Sequence, residues 1–478
     1  MINSPMNKNN TKCQVFTPED YVDILVSLMK YDNPYGKKIL ENSCGTGNIL
    51  ITIVKTYIKK CKKIGLSISE IQEGLSNDIY GIEIDKEIYS KCISNLNKVL
   101  ESEKIPKINW KIYNCDFLQW ESPCHFSYVI GNPPYITYQE IKPEERSRIR
   151  MSFKSCLSGK FDYCYAFIEK SIDLLEDDGK FAYLIPSSIF KTVFGKNIRN
   201  IILPSLKEII DFSNYRIFEK VLIKSSIIFC DKKYKKEYFI YKNDNLIKQI
   251  KKAKTGDKWC FKEYKAKQMK RFGDYFSVSH VVATLCNSVF VLNNYIKNNN
   301  YILSNGYLLE IGCIRDTASP KNRRYNRKEK IIFPYYYHNG KLQHFTEQEF
   351  KNNFPNTYNY LLKKKEILKK RKVDTSALWF EYGRSQALSK INKEKLLVST
   401  IISDNFEVSK LPKDNIPYAG MFILKKANIS LDIAKKILES KDFLNYSRNI
   451  GVPITGHSVR ITSKDIMNYM FDSQGFFI

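Results

Sequence analysis

The chain has 478 residues, 43% of them hydrophobic, enough for substantial cores in about two or three domains. Lys and Arg number 77 against 50 Asp and Glu, a formal charge of +27; this points to a polyanionic partner, nucleic acid first, although a generally lysine-rich composition explains part of the excess. No apolar run reaches the roughly 18 residues of a membrane span, and the polar stretch Met1 to Thr11 has no signal-peptide core, so the expected location is the cytoplasm, with no membrane partner.

From about residue 36 to 230, strand-like runs alternate with helical stretches. Lys38 to Asn42 reads as a first strand, followed by Gly45-Thr46-Gly47 and by helical periodicity from Ile49 to Lys60. Ile79 to Asp85 is a second strand ending in acids, Ile108 to Tyr113 a third, and Phe126 to Ile130 a fourth. Lys180 to Ile185 is a fifth, preceded by a helix from about Cys164 to Leu175 and an Asp-Asp-Gly turn; Ile209 to Phe212 and Ser226 to Cys230 are further strands. This alternation predicts a doubly wound, Rossmann-like, mostly parallel sheet, whose ligands sit at the carboxyl ends of the strands. The alternation fades near residue 235. We therefore expect an α/β domain over 1–235 and a mixed α+β domain over 236–478, with a soft boundary over 235–270 marked by Lys-rich sequence such as Lys248 to Lys254.

The strand ends carry the chemistry. Glu41 to Asn48 is a Gly-rich loop joining strand to helix, and glycines let a ligand approach the backbone closely. A lone Gly-x-Gly is equally a tight turn, and the GK[ST] of a phosphate loop is missing. An acid at position 41 suits a cationic ligand such as an α-amino group. Glu83 ends the second strand, where a carboxylate can grip ribose hydroxyls; Asp85 is a second choice. After the third strand, Asp116 can accept from adenine N6 and Phe117 can cover its ring. Each acid alone is more often a solvated loop charge; three at successive strand ends form a pattern. An amino-acid tail, a ribose and an adenine together describe S-adenosylmethionine.

The fourth strand runs into Asn132-Pro133-Pro134-Tyr135. Read alone, this is either a turn that stops a strand or a cradle for a planar NH2 group. Asn132 supplies a side-chain carbonyl. Pro133 supplies a backbone carbonyl in a chain stiffened by two fixed φ angles. Tyr135 supplies a stacking face.

In these motifs and their order the chain resembles the amino-group DNA adenine methyltransferases of the γ, TaqI-like type found in restriction-modification systems. The resemblance covers roughly residues 12–230. Gln14 to Glu19 is similar to the family's N-terminal cofactor segment, and Glu41 to Asn48 to its S-adenosylmethionine loop. It implies Thr17, Glu41, Cys44, Gly45, Gly47, Glu83, Ile84, Asp116 and Phe117 as cofactor contacts, Asn132, Pro133, Pro134 and Tyr135 as the catalytic motif, and Phe218 as a second aromatic for the substrate base. The expected activity is site-specific methylation of adenine N6 in duplex DNA by base flipping. One departure is the long gap from Gly47 to Glu83, which implies an extension around Lys59 to Asn77.

Beyond residue 235 the composition turns basic and aromatic. Between Gly312 and Lys330 stand Arg315, Lys321, Arg323, Arg324, Arg327, Lys328 and Lys330 against Asp316 and Glu329, with Tyr335-Tyr336-Tyr337 close behind. Lys363 to Lys372 is a second basic run, expected on a helix. Trp379 to Gln386 mixes aromatics with Arg384 and Gln386. Arg and Gln can read base edges while Lys and Arg hold phosphates, so Arg323, Arg324, Arg384 and Gln386 are substrate-binding candidates, although each run is equally a solvated face. Val278 to Val291 and Trp379 to Leu388 resemble segments of target-recognition regions.

Three other readings remain. Asn-Pro-Pro-Tyr also occurs in methyltransferases acting on RNA or on protein glutamine. A bifunctional restriction enzyme is a second alternative, but the cofactor segment near residue 12 leaves no room for a preceding nuclease and no PD…ExK pattern follows; a cognate restriction endonuclease acting on the same site is a possible partner. A catalytically dead DNA-binding scaffold is disfavoured by the intact motif. The 12 Cys form no CxxC pair and no zinc-type spacing with the five His, so neither metal nor disulfide is expected.

Overall fold

The computed structural model describes residues 17–212, 217, 223–244, 246–254, 258–259, 261, 269–404, 406–454 and 458–472. Two compact units divide the chain, 1–262 and 263–478.

The first unit is built on one nine-stranded sheet. Its strands are β1 (Ile39–Glu41), β2 (Ile79–Ile82), β3 (Lys111–Tyr113), β4 (Phe126–Gly131), β5 (Leu175–Pro186), β6 (Leu206–Asp211), β7 (Ser225–Asp231), β8 (Tyr238–Asn243) and β9 (Leu246–Lys251), in the order β3-β2-β1-β4-β5-β7-β6-β8-β9. β3, β2, β1, β4 and β5 are mutually parallel. β7 runs antiparallel between β5 and β6. Strand order reverses beside β1, next to β4, so the crevice that a doubly wound sheet offers to ligands opens there.

The helices are α1 (Glu19–Met29), α2 (Asn48–Lys63), α3 (Ile68–Asp78), α4 (Lys86–Ser102), α5 (Pro143–Ser152), α6 (Cys164–Asp173) and α7 (Lys196–Ile202). α2 buries Ile49, Leu50, Ile53, Val54, Tyr57, Ile58 and Cys61, the 3.6-residue spacing of a core-facing helix; each large side chain so buried contributes about 1.5–3 kcal/mol. α3 is the extension that the long gap before Glu83 implied. A reciprocal capping box, Ser67 with Glu70, starts it.

Two expectations are adjusted. The Asp-Asp-Gly turn lies inside β5 as an irregularity: Phe126 pairs with Leu175 and Tyr128 with Lys180, so residues 176–179 bulge from an otherwise continuous strand. The compact unit also extends past residue 235. β8 pairs in parallel with β6 and β9 closes that side of the sheet, while Trp259 stacks on Phe190 at 5.7 Å and Phe261 on Tyr241 at 4.2 Å. The alternation with helices stops at 235, but the sheet does not.

The second unit is mixed α+β. It contains a four-stranded antiparallel sheet of Phe276–His280, Met421–Lys425, Lys395–Val398 and Ser409–Leu411, several smaller sheets, and short helices. One core gathers Phe290, Phe333, Tyr335, Phe350, Phe380 and Tyr382; another gathers Phe276, Met421, Ile437 and Phe443. No helix of the described residues is long and apolar enough to cross a membrane.

Candidate active site

Glu41, the last residue of β1, is 2% exposed, and its Oε2 has no hydrogen-bond partner among the described residues. Burial, then the Cys92 thiol, push its carboxyl well above the usual carboxylate range. A buried oxygen without a partner costs free energy until a donor reaches it, so this oxygen is open to a hydrogen-bond donor. It opens into a small cavity of about 40 Å3, lined by Thr17, Glu41, Ser43, Cys44, Gly45, Asn48, Ile49 and Asn132. That volume has room for a small polar group such as an ammonium, not for a whole nucleoside.

The loop from β1 to α2 is held in shape by its glycines and by Glu83. Gly45 (φ 54°) and Gly47 (φ 91°) occupy the left-handed region, where a side chain is strained. A Cβ on Gly47 would stand 2.9 Å from Cys92 Sγ. The Cys44 side chain is buried, 3.9 Å from the same sulfur. Glu83 accepts hydrogen bonds from the Gly45 N–H and the Asp85 N–H, both at 2.9 Å. Burial raises the Glu83 carboxyl, and those amides oppose the rise. Asp85 caps α4, accepting from the N–H groups of Glu87 and Ile88, which accounts for it structurally.

Ile84 is 49% exposed beside Glu83, an open apolar surface at the strand end. Asn114, not singled out by sequence, donates to the carbonyls of Glu83 and Ile84 at 2.8 and 3.1 Å. Its position just past β3 was the available signal. Asp116 is already engaged: Leu118 N–H and Gln119 Nε2 donate to it, and Arg148 pairs with it at 3.2 Å. The Phe117 ring is 2% exposed, packed on Phe167 at 5.0 Å with Lys170 Nζ 5.1 Å from its centroid. It therefore serves the core here, and its face is covered by its own neighbours.

Asn132 follows β4, the strand beside β1, and shares the cavity wall with Glu41. Its Nδ2 donates to Thr17 Oγ1 at 3.2 Å, and Ser43 Oγ donates to its backbone carbonyl at 3.1 Å. The N-terminal segment and the Gly-rich loop thus both grip the first residue of the tetrad. Ser43 lay within the motif but was not assigned a role. Pro133 is buried and Pro134 half-buried. Tyr135 is 6% exposed, and its hydroxyl donates to the Leu184 carbonyl at 3.1 Å, so its ring sits in the core beneath the tetrad.

Phe218 and the Gln14 to Phe16 part of the N-terminal motif lie outside the described residues. In the second unit, Arg323 and Arg324 are exposed on the short helix Pro320–Arg324. Arg384 is exposed, with its backbone bridged to Ala283, while Gln386 donates to Asp374 at 2.7 Å. The basic run near Lys363 holds only the five-residue helix Lys365–Lys369. Among the described residues no group of three or more His, Cys, Asp or Glu side chains is arranged to hold a metal ion.

The sheet order and the Gly-rich loop between β1 and α2 are those of a Rossmann-like fold. Within it, residues 46–218 match the family model described as Eco57I restriction-modification methylase. The type II methyltransferase M.BstVI of Geobacillus stearothermophilus is 30% identical over 206 residues, covering 40% of this chain and 36% of that protein. The type II restriction enzyme and methyltransferase RM.Eco57I of Escherichia coli is 23% identical over 468 residues, covering 78% of this chain and 46% of that protein. The chain thus spans less than half the length of either relative. Among solved structures, the type IIL restriction-modification enzyme MmeI in complex with DNA superposes with a TM-score of 0.62 at 14% identity, over 95% of this chain and 64% of that one. The chain is similar to restriction-modification methyltransferases.

Proposed function

We propose that the protein is a site-specific DNA methyltransferase that moves a methyl group from S-adenosylmethionine to adenine N6 in duplex DNA, with the target base turned out of the helix. The observation that carries this reading is the cavity wall shared by Glu41 and Asn132, which supports an ammonium ligand standing directly beside an acceptor pair for an amino group. The buried, unpartnered oxygen of Glu41 fits the donor's ammonium, and Glu83 fits its ribose through lone pairs not used by Gly45 and Asp85. When bound, the cofactor supplies an electrophilic methyl group on a sulfonium.

The rest is done by this chain. The adenine N6 lone pair is delocalised into the ring and is a poor nucleophile. Asn132 Oδ1 and the Pro133 carbonyl accept the two amino hydrogens and favour a more tetrahedral nitrogen. Thr17 and Ser43 hold Asn132 for that task. Tyr135, anchored through Leu184, keeps the two prolines from moving. Much of the acceleration then comes from positioning. The surplus of 77 basic over 50 acidic residues supports a polyanionic substrate, and exposed Arg323, Arg324 and Arg384 are candidates for contacts to it.

The test is Asn132→Ala, assayed by sequencing plasmid DNA for N6-methyladenine after incubation with protein and S-adenosylmethionine. The wild type should mark one sequence; the variant should bind the cofactor and mark none. Methylation by the variant would refute the mechanism, and methylation of RNA or protein alone would refute the substrate. A second reading has one observation in its favour. The alignment with RM.Eco57I spans 78% of the chain but 46% of a protein described as both restriction enzyme and methyltransferase. On that reading the chain performs the same transfer alongside a nuclease, and its measurement is cleavage of unmethylated DNA at the modified sequence by an extract of the source cells, with methylated DNA left intact.

A further inference from the structure

The segment between β4 and α6 is rooted at the catalytic motif. It leaves after Tyr135, and it returns where the Tyr163 N–H donates to the Ile136 carbonyl at 2.9 Å. Between those points lie α5 and a single turn of 3-10 helix, Lys154–Cys156. The loop after β5, the neighbouring parallel strand, joins it. There Asn197 of α7 donates to the Lys154 carbonyl at 3.3 Å, and the Tyr165 hydroxyl meets Thr192 Oγ1 at 3.0 Å.

Together these two loops present large apolar side chains to solvent. Met151 is 81% exposed, Leu157 57%, Val193 59% and Phe194 44%. Their placement is not casual. The Phe194 ring lies against Gly159, where a Cβ would stand 2.0 Å from its Cδ1, and Gly159 has φ +75°. Only glycine lets the ring lie there with so much of it open. The Arg150 guanidinium donates to the Gly159 carbonyl at 2.7 Å and fixes the same turn.

The surroundings identify the occupant. From Arg146 to Phe161 and from Ser187 to Asn200 there is no Asp or Glu, while Lys154, Lys160 and Lys196 are exposed. The nearest acids are Glu144 and Glu145 at the far end of α5, Asp162, and Glu169, which is buried and accepts from the Lys154 and Ser155 N–H groups; an apolar surface with exposed lysines on both loops complements a base stack between two phosphate chains. Apolar side chains inserted at base steps are a recurrent way to open a duplex, and an enzyme that takes one base out must offset the unstacking it causes.

We propose that Met151, Leu157 and Phe194 form a wedge that enters duplex DNA beside the target adenine and fills the space the flipped base leaves. The inference rests on the base-flipping reading above and adds the residues that hold the duplex open.

The experiment compares two DNA substrates carrying the sequence that the wild type modifies: a matched duplex, and the same duplex with an abasic site opposite the target adenine. The variants are Met151→Ser, whose side chain is almost fully in solvent, and Phe194→Ala. Each should lower kcat/KM about tenfold or more on the matched duplex and less than about threefold on the abasic one, where little pairing is left to break. Equal losses on both substrates would mean a structural role and overturn the wedge. So would unchanged rates on both, or loss of self-association without any DNA effect, which would make the patch a protein interface. If the wild type modifies no DNA sequence, so that neither substrate can be chosen, the reading under Proposed function falls, and the wedge with it.

Discussion

Replacing Glu41 by Gln isolates the charge at the bottom of the cavity. Glu41 is 2% exposed, its Oε2 has no partner among the described residues, and burial holds its carboxyl well above the ordinary range. Without cofactor it is therefore neutral at pH values where an exposed glutamate is charged. With an ammonium beside it, the ionised form is favoured, and binding must release a proton. Affinity should rise with pH up to the raised carboxyl value. It should fall again above about pH 8, where an α-amino group loses its own proton. Gln keeps the shape and an acceptor oxygen but cannot ionise. A hydrogen bond to a charged group contributes about 1.5–3 kcal/mol, so Glu41→Gln should weaken S-adenosylmethionine binding roughly 10- to 150-fold. Titration calorimetry in buffers of different ionisation enthalpy reads both quantities. The wild type should show proton release and the variant none. An affinity within about twofold of wild type, with proton release intact, would remove Glu41 as the ammonium ligand.

The remaining expectations are brief. Gly47→Ala meets a left-handed backbone and Cys92 Sγ at 2.9 Å, and should cost about 2–4 kcal/mol of stability. Adding Cys92→Ala should recover the packing part of that loss but not the backbone part, as read by denaturant melts; full recovery would mean that the loop tolerates a side chain. Tyr135→Phe removes the hydroxyl bond to Leu184 and should cost about 0.5–1.5 kcal/mol while leaving kcat within about threefold; a large rate loss would make the phenol part of the chemistry. A fragment ending at 262 should fold and bind cofactor but not duplex DNA, whereas one ending at 235 should not fold. The shorter one loses Phe239, Tyr241, Trp259 and Phe261, at about 1.5–3 kcal/mol each, a sum comparable to a domain's whole stability. A folded 1–235 fragment, by circular dichroism, would refute that sum.

The parts of the fold with a short-range signal were legible. Each parallel strand is a brief apolar run with an acid or Asn-Pro-Pro at its end, so β1 to β4 and the residues after them could be placed one by one. Glu41 and Asn132 could be expected to lie together because strand ends in such a sheet face one crevice, and both line one cavity. What could not be read depends on partners distant in sequence. Phe117 looked available because it follows Asp116, yet Phe167 and Lys170 cover it. Tyr135 looked like an open face, yet a carbonyl on β5 draws its hydroxyl inward. Asp116 looked free, yet Arg148, in a helix 32 residues on, neutralises it. The division after residue 262 falls inside the soft 235–270 boundary; that β8 and β9 return to the sheet without an intervening helix could not be read from the alternation.

The Lys-rich stretch once taken for a boundary has a different consequence. β9 is the last strand of its sheet, and one side of an outermost strand presents backbone donors and acceptors that a foreign strand can pair with. Ile247 on it is 73% exposed, an added invitation. Lys248 and Lys251 stand on the same six residues, and like charges brought together by strand-to-strand pairing of two copies repel. The lysines that resemble a linker in sequence are thus placed where they oppose fibre-like growth of the sheet. Neutralising them should reveal a tendency to self-associate that no property of the catalytic crevice foretells.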